Sequence, residues 1–404
     1  MKRDANHSQS DRKSNSNGKS YSNGKSHSNG KSYAHSRVIL WFWFKKLKLL
    51  LFLPAGLILF FLASAFPNST ESVYSGGIYT HIRTAQTFIA SWAPFSIAES
   101  LVTGTVIYVV VRLVLVVFLC AKKGMKGKRV GLVTDVMIGF LSITAVVYFL
   151  FVLLWGMNYN RRPFADTAGI GVREVTVGEL EETCVILINR ANNFRESMSE
   201  DNGGVVALPE SKDAVLEKSK SMYDNVREAF PTLDVEYSRP KPVVLSEAMS
   251  YAGITGIYFP LTGEANVNMK IGPAELPFTA CHELAHQAGF AREDEANFIA
   301  WLVCDQSSDA GFRYSGTVMA MTHVLNCLRE SDVNRWSRAR ELCSEGVNRD
   351  LNAQGQYWKR YEGPVMDIST TVNDTYLKAN LQEEGVRSYG RMADLLIAYL
   401  LANK

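Results

Sequence analysis

The residues best equipped for chemistry stand together at 281–297, CHELAHQAGFAREDEAN. His282 and His286 are four apart, so on a helix of 3.6 residues per turn they project from one face, one turn above the other. Two imidazoles so spaced can share one tetrahedral Zn²⁺ at about 2.0–2.1 Å. Glu283 is turned about 100° away from His282, which leaves its carboxylate off the metal and free to take a proton from water. The pattern H-E-x-x-H thus pairs a Lewis acid with a general base, the combination that hydrolysis of an unactivated carbonyl needs. In a chain with seven histidines the pattern arises by chance in about one case in a hundred or fewer, so accident is a poor account of it.

The flanking residues read as a helix and its stop. Pro277 suits a first helical turn, Leu284 and Ala285 can pack inward, and Gly289 reads as the left-handed residue that ends the helix. Glu293, Asp294 and Glu295 then open a second segment whose Ala296, Ile299, Ala300, Leu302 and Val303 fall on helical spacing. Three acids in a first turn suit the helix dipole in any protein. A two-histidine site also needs a third ligand, and a carboxylate completes a His₂Glu set. The residues themselves leave Glu293, Asp294, Glu295 and the more distant His323 as candidates, with Glu295 about 200° round the helix from Glu293.

The run Glu293 to Asn297, E-D-E-A-N, resembles the E-x-x-A-D element of gluzincin peptidases of the membrane CAAX-protease type, with Asn297 in place of the aspartate. From Ser96 onward the chain also resembles an uncharacterised family of bacterial membrane proteins, the domain of unknown function 3810. PFSIAES at 94–100, GITGIYFPLTGEANVN at 253–268, CHELAHQAGFAREDEANF at 281–298 and NDTYLKANLQEEGV at 373–386 carry that likeness. The resemblance implies a zinc peptidase with His282, His286 and Glu293 on Zn²⁺ and Glu283 as general base. It places Asn297 on the face of Glu293, where it would orient a ligating histidine. An oxyanion donor is also required, and Tyr376, within the YLKAN run, and His323, on a helix after Ser315, are the candidates.

The elements that must position these groups begin in a membrane. The chain has 404 residues, 47% of them hydrophobic, and its net charge of +3 is too small to argue for nucleic acid as a partner. Residues 1–36 repeat NGKSYS, NGKSHS and NGKSYA and have almost nothing to bury, so they read as a disordered basic tail held near anionic lipid. Three stretches, about 47–66, 101–121 and 133–155, reach the ~20 apolar residues that span a bilayer. Arg37, Lys45, Lys46 and Lys48 stand at the start of the first and Lys122, Lys123, Lys126, Lys128 and Arg129 join the last two, against Arg83 alone between the first and second. The positive-inside rule then places the N-terminus in the cytoplasm and everything after Trp155 outside, although Arg161 and Arg162 count against it. Arg112, deep in the second span, calls for a partner, for which Asp135 stands nearest in the pattern. Ile78, Ile82, Phe88, Ile89 and Trp92 mark a short amphipathic segment lying on the outer membrane surface and walling the site on that side.

The expected fold is mainly α with a small β-sheet: a membrane domain at 37–157, then a zincin-like domain at 158–404. Thr176 and Glu179 form a capping box for a helix to about Glu196, and a second helix runs over about 213–230. PVVLS, GIYF and EANVNM read as short strands, and the 264–269 stretch is expected to offer its edge to an extended substrate. Helices return from about Ser315 and finish with Tyr389–Ala402. Of the six cysteines, five fall in the domain expected outside, where an odd number leaves one unpaired. The reading is a zinc metalloendopeptidase acting on a peptide or protein outside the bilayer. Its rivals are an amidase on cell-wall or lipid substrates and a non-enzymatic sensor or scaffold with a structural zinc, against which the intact Glu283 stands.

Overall fold

Helices that are apolar all round their circumference need a partner on every side, and three such helices open the structure. The computed structural model describes residues 47–122, 127, 129–380, 382 and 389–402; the 1–36 tail and most of the basic loop at 122–129 lie outside the described residues. The stretches Lys48–Ala65, Ile97–Ala121 and Arg129–Leu154 are long and apolar enough to cross a membrane. They contain α1 (Phe52–Ala65), α3 (Ile97–Ala121) and α4 (Arg129–Leu154), with α2 (Tyr79–Trp92) between the first two. Side chains such as Phe61, Val117 and Phe140 stand exposed along them, a contiguous apolar surface of the kind lipid covers. Arg112 is exposed on α3, and Asp135 is half-buried on α4.

α2 is amphipathic in the expected sense but faces two ways. Tyr79, Arg83, Gln86, Thr87 and Ala90 are buried against the rest of the chain, while Phe88, Ile89 and Trp92 on the other side are exposed. Its last carbonyls are capped by the buried Lys241, whose ammonium donates to Ala90 O at 2.7 Å and also to Ala93 O. A cation at a helix C-terminus meets both the unpaired carbonyls and the negative end of the dipole.

After Trp155 the chain forms a helical body around a small sheet. α5 (Val177–Glu196) carries the expected capping box between Thr176 and Glu179. α6 (Lys212–Met222) is shorter than the expected 213–230. It gives way to a 3₁₀ turn at Tyr223–Asn225, where Asp224 and Asn225 favour turns over helix, and the buried Tyr223 donates to Cys281 O at 2.6 Å. There follow β1 (Lys241–Val243), α7 (Ser246–Tyr251), β2 (Gly256–Phe259) and β3 (Glu264–Asn268), in the sheet order β1-β3-β2. β1 pairs parallel to β3 with Lys241 opposite Asn266, and β2 antiparallel with Gly256 opposite Val267.

The expectation that 264–269 supplies the free edge is therefore wrong. β3 is the central strand, all five of its residues are buried, and β1 and β2 are the two edges. Burial on both sides is tolerated because the polar side chains of β3 are satisfied from the neighbouring membrane helix. Ile97 and Ala98, at the start of α3, donate their N–H groups to Glu264 at 3.0 and 2.7 Å. Ser96, which caps α3, donates to Asn266 Oδ1 at 2.6 Å. In return Glu99 of α3 accepts from the N–H groups of Val244 and Leu245 at 3.0 and 2.7 Å.

The remaining helices are α8 (Leu276–Gln287), α9 (Glu293–Asp305), α10 (Ala310–Ser331), α11 (Val333–Arg340), α12 (Glu345–Lys359), α13 (Pro364–Ala379) and α14 (Tyr389–Ala402). One core joins α5, α8, α9, α10 and α14 through residues such as Leu187, Leu284, Trp301, Met321 and Leu396. A second, smaller core of Tyr74, Tyr79, Trp155, Tyr159, Tyr258 and Ala291 draws on both the membrane part and the helical body. All six cysteines are free.

Candidate metal centre

α8 begins with Pro277 in its first turn, and every residue of it except His282 is buried. It ends at Gly289, whose φ of 94° is left-handed and whose Cα a side chain could not share, since a Cβ there would lie 2.8 Å from the Tyr79 ring. The chain then reverses through 290–292 into α9, which packs beside α8. That reversal sets Glu293, the first residue of α9, over the two histidines.

His282 Nε2 lies 3.3 Å from Glu293 Oε2, and His286 Nε2 lies 3.5 Å from Glu293 Oε1. Ligand atoms of the three residues fall within 4.8 Å of one another. A tetrahedral ion bonded at about 2.0–2.1 Å needs ligand atoms roughly 3.3 Å apart, so the spacing fits Zn²⁺. The protonation pattern fits as well. His286 Nδ1 lies 2.7 Å from Phe290 O; a carbonyl only accepts, so Nδ1 carries the proton and, in the neutral ring, Nε2 turns its lone pair to the cluster. His282 Nδ1 is buried with no hydrogen-bond partner. Burial works against charge on His286, but Glu293 outweighs it and lifts that imidazole to about 9. Glu293 shows the converse: burial raises its carboxyl, yet His286 and His282 hold it well below the usual carboxylate range.

Glu283 sits beside this group without joining it. It is 3% exposed, and burial pushes its carboxyl up to about 7 against the pull of His282 and His286. The Tyr258 backbone N–H, on β2, adds a weaker pull in the same direction, and Glu283 Oε2 is buried with no hydrogen-bond partner. β2 passes so close that a Cβ at Gly256 would stand 2.4 Å from Glu283 Oε1.

The other candidates separate cleanly. Glu295 accepts from Phe164 N at 2.8 Å and from Arg292 Nη1 at 3.0 Å, facing away from the histidines. Asp294 is buried and lies 3.6 Å from Arg391. Among the described residues no hydrogen bond joins Asn297 to either histidine; the Phe290 carbonyl takes the orienting place expected of it. His323, on α10, has its ring 6.5 Å from that of Phe278 and stays outside the three-residue group. Burial and then His282 depress it to about 4, so it is neutral. Tyr376, on α13, does come near: its hydroxyl accepts from that of Tyr159 at 3.0 Å, and Glu293 adds to the burial that raises its pKa.

Four residues that support the centre were missed. The Trp155 indole N–H donates to His286 O at 3.3 Å, its ring 5.9 Å from the imidazole; the sequence marks it only as the end of the third span. Tyr159 is buried between Trp155 and Tyr376. Arg161, read only for its charge, lies 4.1 Å over the Phe290 ring and donates to Gly289 O at 3.2 Å, steadying the turn that holds His286. Glu71 fixes that guanidinium from two oxygens at 3.1 and 2.8 Å. Nothing in sequence spacing links residue 71 to residue 161.

No curated protein and no solved structure matches the chain. A family model described as "Protein of unknown function (DUF3810)" matches residues 74–397, which takes in α2, two of the spans, the sheet and the whole His282, His286, Glu293 group, and the chain belongs to that family.

Proposed function

We propose that the chain is a membrane-anchored, zinc-dependent metallopeptidase with its helical body outside the cytoplasm. One observation carries the reading: three metal-ligating side chains converge beside a buried carboxylate, Glu283, that has an oxygen to spare. His282, His286 and Glu293 would hold the ion. Bound there, Zn²⁺ would supply Lewis acidity, polarising a carbonyl and acidifying water.

The remaining work falls to the chain's own groups. Glu283, its carboxyl pushed up to about 7 by burial, takes a proton from the attacking water and returns it to the leaving nitrogen. β2, the edge strand above it, offers backbone groups to an extended peptide. Tyr159 donates to Tyr376, which leaves the Tyr376 proton free to meet a developing oxyanion. The scarcity of Lys and Arg between the first two spans favours the outward placement.

Metal analysis of the purified full chain, with turnover of a mixed peptide library, tests the proposal. About one zinc per chain is expected. Glu283→Gln is expected to keep the metal and lose about 10²–10⁴-fold in turnover, the usual worth of a general base. A metal-free wild type, or a variant as active as the wild type, would sink it.

A further inference from the structure

The candidate centre is bolted to the ends of the membrane helices. The Trp155 indole, one residue past the end of α4, bonds the backbone of His286 itself. Phe151, within the last turn of α4, packs its ring 6.1 Å from that of Tyr376, and at 1.5 Å per residue it lies only about 5 Å inside the end of that span. On the sheet side, the first turn of α3 is seated on Glu264 of β3, the strand paired with β2, whose Gly256 lies against Glu283. Residues 66–96 and the chain from Trp155 onward lie on the same side of the three spans, because α1 and α4 end there and α3 begins there.

Apolar surface continues from the spans onto the structure around the centre. α2 touches the centre with one face, where Tyr79 donates to Gln287 O at 3.2 Å. Its other face exposes Phe88, Ile89 and Trp92, at 62, 60 and 78%, four residues short of a membrane helix. An exposed face of this size that runs directly into a span is the signature of a segment lying in the headgroup layer, where Trp in particular is favoured. A body fastened at the ends of two spans, with that face beside it, holds its centre level with the membrane surface.

From this we infer that the centre opens at the lipid–water boundary and acts on polypeptides anchored in the same bilayer, in the few residues next to their anchor. The inference rests on the peptidase reading. A free peptide would have to descend to the headgroup layer, whereas an anchored one is delivered there at high effective concentration.

The full chain, loaded with zinc in vesicles of phosphatidylcholine and phosphatidylglycerol, decides this. Its substrates are a mixed-sequence fluorogenic peptide library in three forms: free, palmitoylated through about two Gly/Ser residues, and palmitoylated through about twenty, a reach of roughly 25 Å. The short-tethered form is expected to be cut at least about tenfold faster than the other two, and Glu283→Gln to cut none. Equal cutting of the free or long-tethered form overturns the inference and leaves the peptidase reading standing. No cutting of any form by the loaded protein is the failure of that reading, and the inference falls with it. A second readout needs no turnover: a diazirine placed on the lipid acyl chain near the glycerol should label Phe88, Ile89 and Trp92. Adducts confined to the three spans would overturn the placement.

Discussion

Two buried charged groups in this protein are built to opposite ends. Behind α5, α10 and α12, Asp350 accepts from Arg195 Nε at 2.7 Å, from Val206 N at 2.8 Å and from the Tyr314 hydroxyl. Arg195 spends its other donors on Gly204 O and Glu200, both at 2.9 Å. No buried side-chain atom of Arg195, Asp350 or Tyr314 is left without a partner. At the candidate centre, His282 Nδ1 and Glu283 Oε2 are equally buried and have no partner, and Glu293 keeps 28% of its side chain exposed. A closed network rigidifies a fold, whereas an open one in the same low dielectric is costly unless something else completes it. The two groups therefore differ in what they leave unpaired: nothing buried at Asp350, two buried atoms beside Glu293.

Variants can break that contrast from either side. The largest effect is expected at the closed network: Asp350→Ala leaves a buried guanidinium unpaired and should cost about 3–5 kcal/mol, with zinc per folded chain unchanged. Thermal unfolding followed alongside metal content measures both. At the open network the pattern should invert. His286→Ala is expected to weaken zinc binding by more than about 10²-fold, beyond what loss of a merely supporting group does, while the metal-free protein melts close to wild type; competition against a calibrated chelator reads it. Gly256→Ala is subtler, since it leaves every ligand in place and pushes only on Glu283. A displacement of about 1 Å costs about 10²-fold in rate, so turnover should fall to that degree with zinc retained. Tyr159→Phe removes one hydrogen bond, worth about 1 kcal/mol, and turnover should fall by about tenfold or less with unchanged metal content.

Much of this was legible in the sequence where a local rule applied. Span positions follow from apolar length, the α5 capping box from Thr176 and Glu179, and the turn at Gly289 from its place after a run of helical residues. Gly289 signals that the chain turns back toward the histidines, but among the acids that follow it was the resemblance, not the spacing, that pointed to Glu293, which the structure sets beside both. What failed was long-range. The edge role expected of 264–269 follows from the likeness to a zincin, in which the strand before the metal helix lies open, whereas here the N-terminus of α3, some 170 residues away in the chain, helps to bury Glu264 and Asn266. Arg161 counts in the sequence only as a loop charge and Lys241 carries no signal there, yet each is buried on backbone carbonyls of a distant segment. Asn297 shares a helix face with Glu293, but the histidine finds a nearer carbonyl at Phe290.

The interlock between α3 and the sheet also governs what a protease could do to this protein. Many membrane-anchored domains can be shed by a cut at the membrane surface, because their tether is a passive stalk. Here the link at 156–163 is no stalk: Asn160 and Arg161 are buried within it, and Trp155, Tyr79 and the first turn of α3 contribute directly to the surroundings of His286 and Glu264. Severing that link would strip the centre of its indole and tyrosine supports and uncover a carboxylate that has no other backbone N–H donors among the described residues. The product would be a damaged body, so the three-residue group and its supports cannot leave the spans intact by shedding.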